Sequence, residues 1–309
     1  RPPMASKGHV EPSIPSLEKI CEETSENAPF NEEETMVLER VCEIVGKERT
    51  DPLPAAVKQR YVRGYFFEKA KTGVEGWIEV ASRELARTLD WREEVDAATL
   101  ATRELPKADI FERAWKSGVY GIDKQGHPIW VERTQEINLE ELGQHFVVED
   151  LGLLQAQRLE RLTGIKMRIS EATGRTLYKH CYIFDLGGIL NCLCATHLWQ
   201  VLALGCFVSR TRFEPFSMLQ SITILRHSGK CGFSRKCALC DDPRFLINAP
   251  WVFRSIWMVI QPLIHEKTRV KIKLMGGNYI EEMKEHGVDP DQLPVSIGGT
   301  YEINHLAPQ

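Results

Sequence analysis

Residues 245–257 read FLINAPWVFRSIW. Phe245-Leu246-Ile247-Asn248 is a short apolar run halted by Ala249-Pro250, the pattern of a buried strand with a hard stop. Residues 251–264 (WVFRSIWMVIQPLI) then carry ten apolar positions of fourteen, a helix too apolar for an ordinary surface face. Pro262 would kink or loosen its last turn. A helix apolar nearly all round is either buried core or a surface that meets lipid, and periodicity alone leaves both open.

Reading outward from this stretch, residues 270–275 (VKIKLM) alternate as a half-buried strand ended by Gly276-Gly277, and a helix follows over about 278–286. Upstream, residues 179–186 (KHCYIFDL) form an apolar run ended by Asp185, Gly187 and Gly188, a buried strand. A helix is expected over about 148–170, with Leu151, Leu154, Leu159 and Leu162 set among Gln, Arg and Glu. Earlier still, Val119-Tyr120-Gly121-Ile122 and Pro128-Ile129-Trp130-Val131 flank Asp123-Lys124-Gln125-Gly126, turn chemistry between two short strands. Gly121 and Gly126 also stand at P-loop spacing, but His127 occupies the lysine position and a hairpin replaces the strand–loop–helix. Strands alternating with helices predict an α/β lobe with a mostly parallel or mixed sheet flanked by helices.

The first hundred residues have a different texture. Residues 1–32 are rich in Pro, Ser and Glu and lack apolar periodicity. Residues 1–43 hold ten Glu against four basic residues, a net of −6, which predicts a disordered acidic tail leading into a first acidic helix. Residues 33–50 and 55–100 carry helical patterning. Trp77, Val80, Ala81, Leu85 and Leu89, with Phe66 and Phe67, can share one apolar face, and Gly73 and Gly76 are expected to break the second stretch. The division expected is therefore a tail at 1–32, a helical N-terminal lobe at 33–105 and the α/β lobe at 106–303.

Over the whole 309 residues, 43% are hydrophobic and 27% charged, which excludes collagen, a coiled-coil rod and a mainly disordered chain. A net charge of −4 gives no reason to expect a nucleic-acid partner. Nine cysteines, no N-x-Ser/Thr sequon and no signal peptide favour a reducing, cytoplasmic setting over a secreted disulfide framework. There is no G-x-S-x-G elbow, no H-E-x-x-H and no glycine-rich phosphate loop. Cys181 beside His180 on a strand would point to the opposite face, so the two are no nucleophile–base pair. No catalytic residue, cofactor or metal is expected, and the chain is expected to be a monomer.

Several segments resemble the CRAL-TRIO lipid-binding family, that of the phosphatidylinositol/phosphatidylcholine transfer proteins. They are residues 123–131 (DKQGHPIWV), 181–189 (CYIFDLGGI), 245–257, 261–274 (QPLIHEKTRVKIKL) and 289–299 (DPDQLPVSIGG). With the helical lobe ending in Leu89-Asp90-Trp91-Arg92, the similarity covers roughly residues 55–190 and 243–300. Each piece is moderately specific; five in the right order are strong. The resemblance implies a helical lobe packed on a lipid-binding lobe, with a sheet as the floor of an enclosed apolar pocket and residues 251–264 as a mobile gate helix. It implies a phospholipid or other hydrophobic ligand, exchanged during transient, peripheral visits to membranes. Buried acyl chains gain about 0.8 kcal/mol per CH₂, so two chains of about 16 carbons lose on the order of 25 kcal/mol if exposed to water. Trp251, Phe253, Trp257 and Ile260 on the gate would line or cover such a pocket, with Met258 adapting to irregular contacts. By the same resemblance Thr268 and Lys271 help hold a phosphate-bearing head group. Two departures stand against it. Tyr65 occupies the place of the family's head-group Arg, and no Tyr-Pro-Glu segment precedes Phe245, so phosphatidylinositol is not fixed as the ligand.

Residues 191–244 match little of the family. They hold six of the nine cysteines, in a basic and atypical insert. Three readings stay open. His227, Cys231, Cys237 and Cys240 offer four soft ligands for zinc, though with one C-x-x-C rather than two. Leu186 to Ser209 is 24 residues without Asp, Glu, Lys or Arg, long enough for a membrane span. Or the segment extends the usual connecting helix, over about 193–208, into a basic loop. The alternative to a carrier is a lipid-sensing or protein-interaction module whose Cys-rich insert, with or without zinc, carries the specificity.

Overall fold

The computed structural model describes residues 17–188, 241–261, 269 and 271–301. In the helical lobe, α1 (Glu32–Val45) starts at Asn31, whose side chain accepts from the Glu34 N–H while Glu34 reaches back to the Asn31 N–H. This reciprocal cap satisfies two donors that every helix start leaves open. Short α2 (Lys47–Thr50) and α3 (Ala55–Gly64) lead to the long α4 (Lys69–Glu94). The expected break in α4 falls at Gly73, whose φ of 73° no ordinary helical residue adopts, while Gly76 lies inside the helix. Val37, Val41, Tyr61, Trp77, Ala81, Leu85 and Leu89 share one buried core, and Trp77 Nε1 donates to the Val62 carbonyl at 2.8 Å. Phe66 departs from the expected face. It sits in a 3-10 turn half exposed, edge-on to Trp77 with centroids 5.0 Å apart.

Helices α5 (Ala97–Leu100) and α6 (Ala108–Ala114) lead into the second lobe. There β1 (Trp115–Ile122) and β2 (Pro128–Ile137) form the expected antiparallel hairpin. Then come α7 (Leu139–His145), α8 (Val148–Thr173), β3 (His180–Asp185), β4 (Asp241–Ile247), α9 (Trp251–Ile260), β5 (Ile272–Leu274) and α10 (Tyr279–Glu285). The strands lie in the order β1-β2-β3-β4-β5, parallel from β2 onward. This is the mixed α/β sheet the sequence predicts. The helical lobe is bolted to α8: Arg92 pairs with Glu160 at 2.6 Å, and the Gln157 amide donates to the carbonyls of Leu100 and Arg103.

The two sheet faces differ. Side chains alternate along a strand, so Ile129, Val131, Cys181, Ile183, Phe245 and Ile247 share one face, fully buried beneath Met275, Tyr279, Met283, Val288, Leu293 and Ile297. Gly121 permits this closure, because a Cβ there would clash with Gln292, whose side chain accepts from the Ile122 N–H at 3.2 Å. On the other face, Trp130 and Tyr182 meet Leu162, Ile165 and Ile169 of α8. Phe184, Leu246, Ile272 and Leu274 meet Phe253 of α9.

Residues 17–31 are not the disordered tail expected of residues 1–32. The N–H groups of Cys21 and Glu22 both donate to the Lys124 carbonyl at 2.9 Å, and Arg63 donates to the carbonyls of Ser25 and Ala28. Glu26 is fully buried: one carboxylate oxygen accepts from the N–H groups of Tyr178 and Lys179, and the other meets His127 Nε2 at 2.5 Å. His127 Nδ1 meets Asp123 at 3.0 Å. Burial alone would lower the His127 pKa, but the carboxylates of Asp123 and Glu26 raise it from 6.5 to about 10. Burial likewise opposes ionisation of Glu26, yet the bond to His127 and its charge hold Glu26 below its usual range. An acidic stretch thus folds because its one buried Glu finds a cation and two N–H donors in the α/β lobe. The same contact uses His127 as a structural cation, which agrees with the exclusion of a phosphate loop.

Candidate functional site

The floor of the site is the α8/α9 face of the sheet. Register places Trp130, Tyr182, Arg244 and Ile272 in one cross-strand row, and Glu132, Phe184, Leu246 and Leu274 in the next. Tyr182 and Phe184 stack with centroids 6.1 Å apart and keep partial exposure, as do Ile272 and Leu274. Partly exposed apolar side chains on an inward face are unusual in a sheet whose reverse is sealed, and they are what an apolar ligand would cover.

The roof is α9, whose entry is set at the strand ends. Asp185 Oδ1 accepts from the Gly187 N–H and from Asn248 Nδ2, both at 2.8 Å. Thr134 donates to the Asp185 carbonyl at 3.0 Å, tying β2 to the same corner. Asn248 adopts φ 53°, and Pro250 then caps the helix. The helix is two-sided. Trp251 (77% exposed), Arg254, Ser255 and Met258 (63% exposed) follow helical spacing on the outer stripe. Phe253 is buried against Leu186, Leu246 and Ala249, and Trp257 is half-buried.

Of the site residues expected from the sequence, the structure therefore brings Phe253 to the floor and places Trp251 on the outer surface. Ile260 ends α9, and its side chain lies outside the described residues, as does all of Thr268. Lys271 is half-buried just before β5, and its carbonyl accepts the Arg244 N–H at 2.9 Å. Tyr65, at the position matched to a family Arg, is buried in the helical core against Tyr61 and Phe67 and takes no part in the floor.

Two floor residues went unrecognised in the sequence. Glu132 is 7% exposed and accepts from Trp130 Nε1 at 3.1 Å and from the Tyr182 hydroxyl at 2.8 Å. Arg244 shares the alternation of Leu246 and faces the same side. The signal for both was a charge at a floor-facing position of an otherwise apolar strand.

Among the described residues no group of three His, Cys, Asp or Glu could hold a metal ion, and no helix is long and apolar enough to cross a membrane. The zinc candidates His227, Cys231, Cys237 and Cys240 lie outside the described residues, as does nearly all of the span candidate from Leu186 to Ser209.

Comparison with known proteins agrees with this architecture. The family model of the CRAL/TRIO domain matches residues 112–299. The chain is 26% identical over 214 residues to phosphatidylinositol/phosphatidylcholine transfer protein SFH4 of Arabidopsis thaliana, covering 69% of this chain and 31% of that protein. It is 24% identical over 242 residues to SFH12 of the same plant, named as the same kind of transfer protein, covering 78% and 38%. The chain thus spans about a third of the length of these relatives. The crystal structure of Sfh5 superposes with a TM-score of 0.51 at 14% identity, over 89% of this chain and 96% of that one, which shows a shared fold. With a match across well over half its length, this chain belongs to the CRAL/TRIO domain family.

Proposed function

We propose that this protein holds one phospholipid or other hydrophobic molecule between the sheet floor and α9 and exchanges it between membranes. The observation that carries the reading is the partly exposed apolar floor of Phe184, Ile272 and Leu274 beneath a helix that turns Phe253 inward, continued by Tyr182 against α8. Burial of acyl chains on that floor supplies about 0.8 kcal/mol per CH₂, enough to keep a lipid off water until the roof opens. Similarity to proteins named as phosphatidylinositol/phosphatidylcholine transfer proteins supports the same ligand class.

In this reading α9 is the gate and the corner of Asp185, Asn248 and Thr134 is its fixed end. Trp251 and Met258 meet the membrane, since Trp settles at the interface and Met packs on irregular surfaces. Trp257 and Ile260 lie against the ligand, and Thr268 and Lys271 approach its head group. The protein works without catalysis, as a cytoplasmic monomer peripheral at membranes, through a helical lobe at 33–105 and a lipid-binding lobe at 106–303. The test is transfer of a fluorescent phospholipid from donor to acceptor vesicles. Protein-dependent transfer that falls severalfold in a Trp251→Ala/Met258→Ala variant supports the proposal. Absence of transfer, with no lipid in organic extracts of the protein, overturns it.

A further inference from the structure

The outer stripe of α9 carries a single charge. In Trp251–Ile260 only Arg254 is charged, three positions after Trp251 and four before Met258. That spacing sets all three on one helical stripe. Trp251 and Met258 are its exposed apolar members, and Arg254 is exposed between them. The Arg254 guanidinium makes no hydrogen bond or ion pair among the described residues. It lies across the backbone of Gly276, where a Cβ would collide with it. Exposed arginines elsewhere are treated differently: Arg40, Arg83 and Arg113 each meet a carboxylate, from Glu43, Glu79 and Glu141. The chain as a whole is acidic, with a net charge of −4. An unopposed cation between an exposed Trp and an exposed Met is therefore a local exception to the charge of the molecule.

We propose that this stripe docks on an anionic bilayer surface, with Arg254 as the residue that selects such a surface over a zwitterionic one. This deepens the membrane role given to α9 above and rests on it. Trp251 and Met258 enter the boundary between head groups and acyl chains, and the long stem of Arg254 reaches from the same stripe into the negative field of the leaflet. One arginine near an anionic leaflet improves binding by about fivefold. The gain is local. Charges of the acidic chain lying more than about 10 Å from the surface are screened by physiological salt, so they do not cancel it. A gate that opens where it docks then exchanges its cargo mainly at anionic membranes.

The test floats the full chain with phosphatidylcholine vesicles, pure or doped with phosphatidylglycerol, and measures transfer of one fluorescent phosphatidylcholine from each. The cargo is the same in both arms, so only the surface differs. The wild type should bind the doped vesicles about fivefold better and transfer from them faster. Arg254→Gln should bring the ratio of doped to pure binding close to one, Arg254→Lys should keep most of it, and Arg254→Glu should invert it. Gly276→Ala displaces the guanidinium from its resting place without changing its charge, so the ratio should survive there. Equal binding of the two vesicles by the wild type, an undiminished ratio in Arg254→Gln, or its loss in Gly276→Ala overturns the proposal alone. Charge-selective binding without transfer from either vesicle supports the docking face and overturns the carrier reading. No binding to either vesicle overturns the membrane role of α9 and the proposal with it.

Discussion

The two faces of the central sheet come from the same strands, residue by residue, and have opposite fates. Ile183 and Phe245 are wholly buried beneath the C-terminal elements, while their neighbours Phe184, under α9, and Tyr182, against α8, keep partial exposure. Both sets are apolar, so hydrophobicity does not separate them. What separates them is how completely the other described elements cover each face. On the sealed side the elements from Met275 to Ile297 do so, while the N-terminal strap adds a buried ion cluster around His127 at the end of the hairpin turn. On the floor side the cover is a two-sided helix with an exposed Trp at its start. Among the described residues close burial therefore concentrates on one side, and the other carries the proposed ligand contact.

The largest effect is expected at the buried ion cluster of His127, Glu26 and Asp123. His127→Gln strips Glu26 and Asp123 of their buried cation and should cost about 3–5 kcal/mol, read from denaturant unfolding. The pH dependence follows from the same cluster. A pKa raised from 6.5 to about 10 means the contribution of His127 is complete below about pH 6.5 and is lost as pH rises through about 10. Glu26, held below its usual 4.5, contributes above that pH and loses its contribution as pH falls below it. Melting curves at pH 6, 8 and 10 should show falling stability in the wild type and a flatter response in His127→Gln; parallel curves would contradict the assignment.

Ile183→Ala should cost about 2–5 kcal/mol, since a fully buried side chain leaves a cavity. Its neighbour Phe184→Ala should cost less than about 1.5 kcal/mol in the lipid-free protein, yet lower lipid uptake severalfold. Equal destabilisation by the two would mean the faces are equally sealed. The smallest stability effect belongs to Trp251→Ala, within about 0.5 kcal/mol of wild type. Slower phospholipid transfer at unchanged melting temperature is the outcome expected there, and an unchanged transfer rate would remove Trp251 from the membrane contact.

Much of this architecture was readable in the sequence where local pattern governs it. The hairpin at 115–137, the strand at 180–185 and the helix at 148–173 follow from periodicity and turn residues within one segment. What escaped depends on partners far away in the chain. Glu26 looks like one more tail glutamate until His127, 101 residues on, supplies its counter-charge. Glu132 and Arg244 look like solvent-facing charges of alternating strands, because nothing in a strand's own pattern says which face is sealed. Tyr65 reads only as a departure at the family's head-group Arg position, and its place in the helical core is invisible until that core closes over it.

The central claim is that the floor of Tyr182, Phe184, Ile272 and Leu274 is a ligand surface and not merely loose core. Native mass spectrometry of the protein after incubation with phospholipid vesicles tests it most directly. The account predicts one lipid mass added per chain, with occupancy reduced severalfold in Phe184→Ala and unchanged in Trp251→Ala. A chain that carries only its own mass, before and after the vesicles, would contradict it.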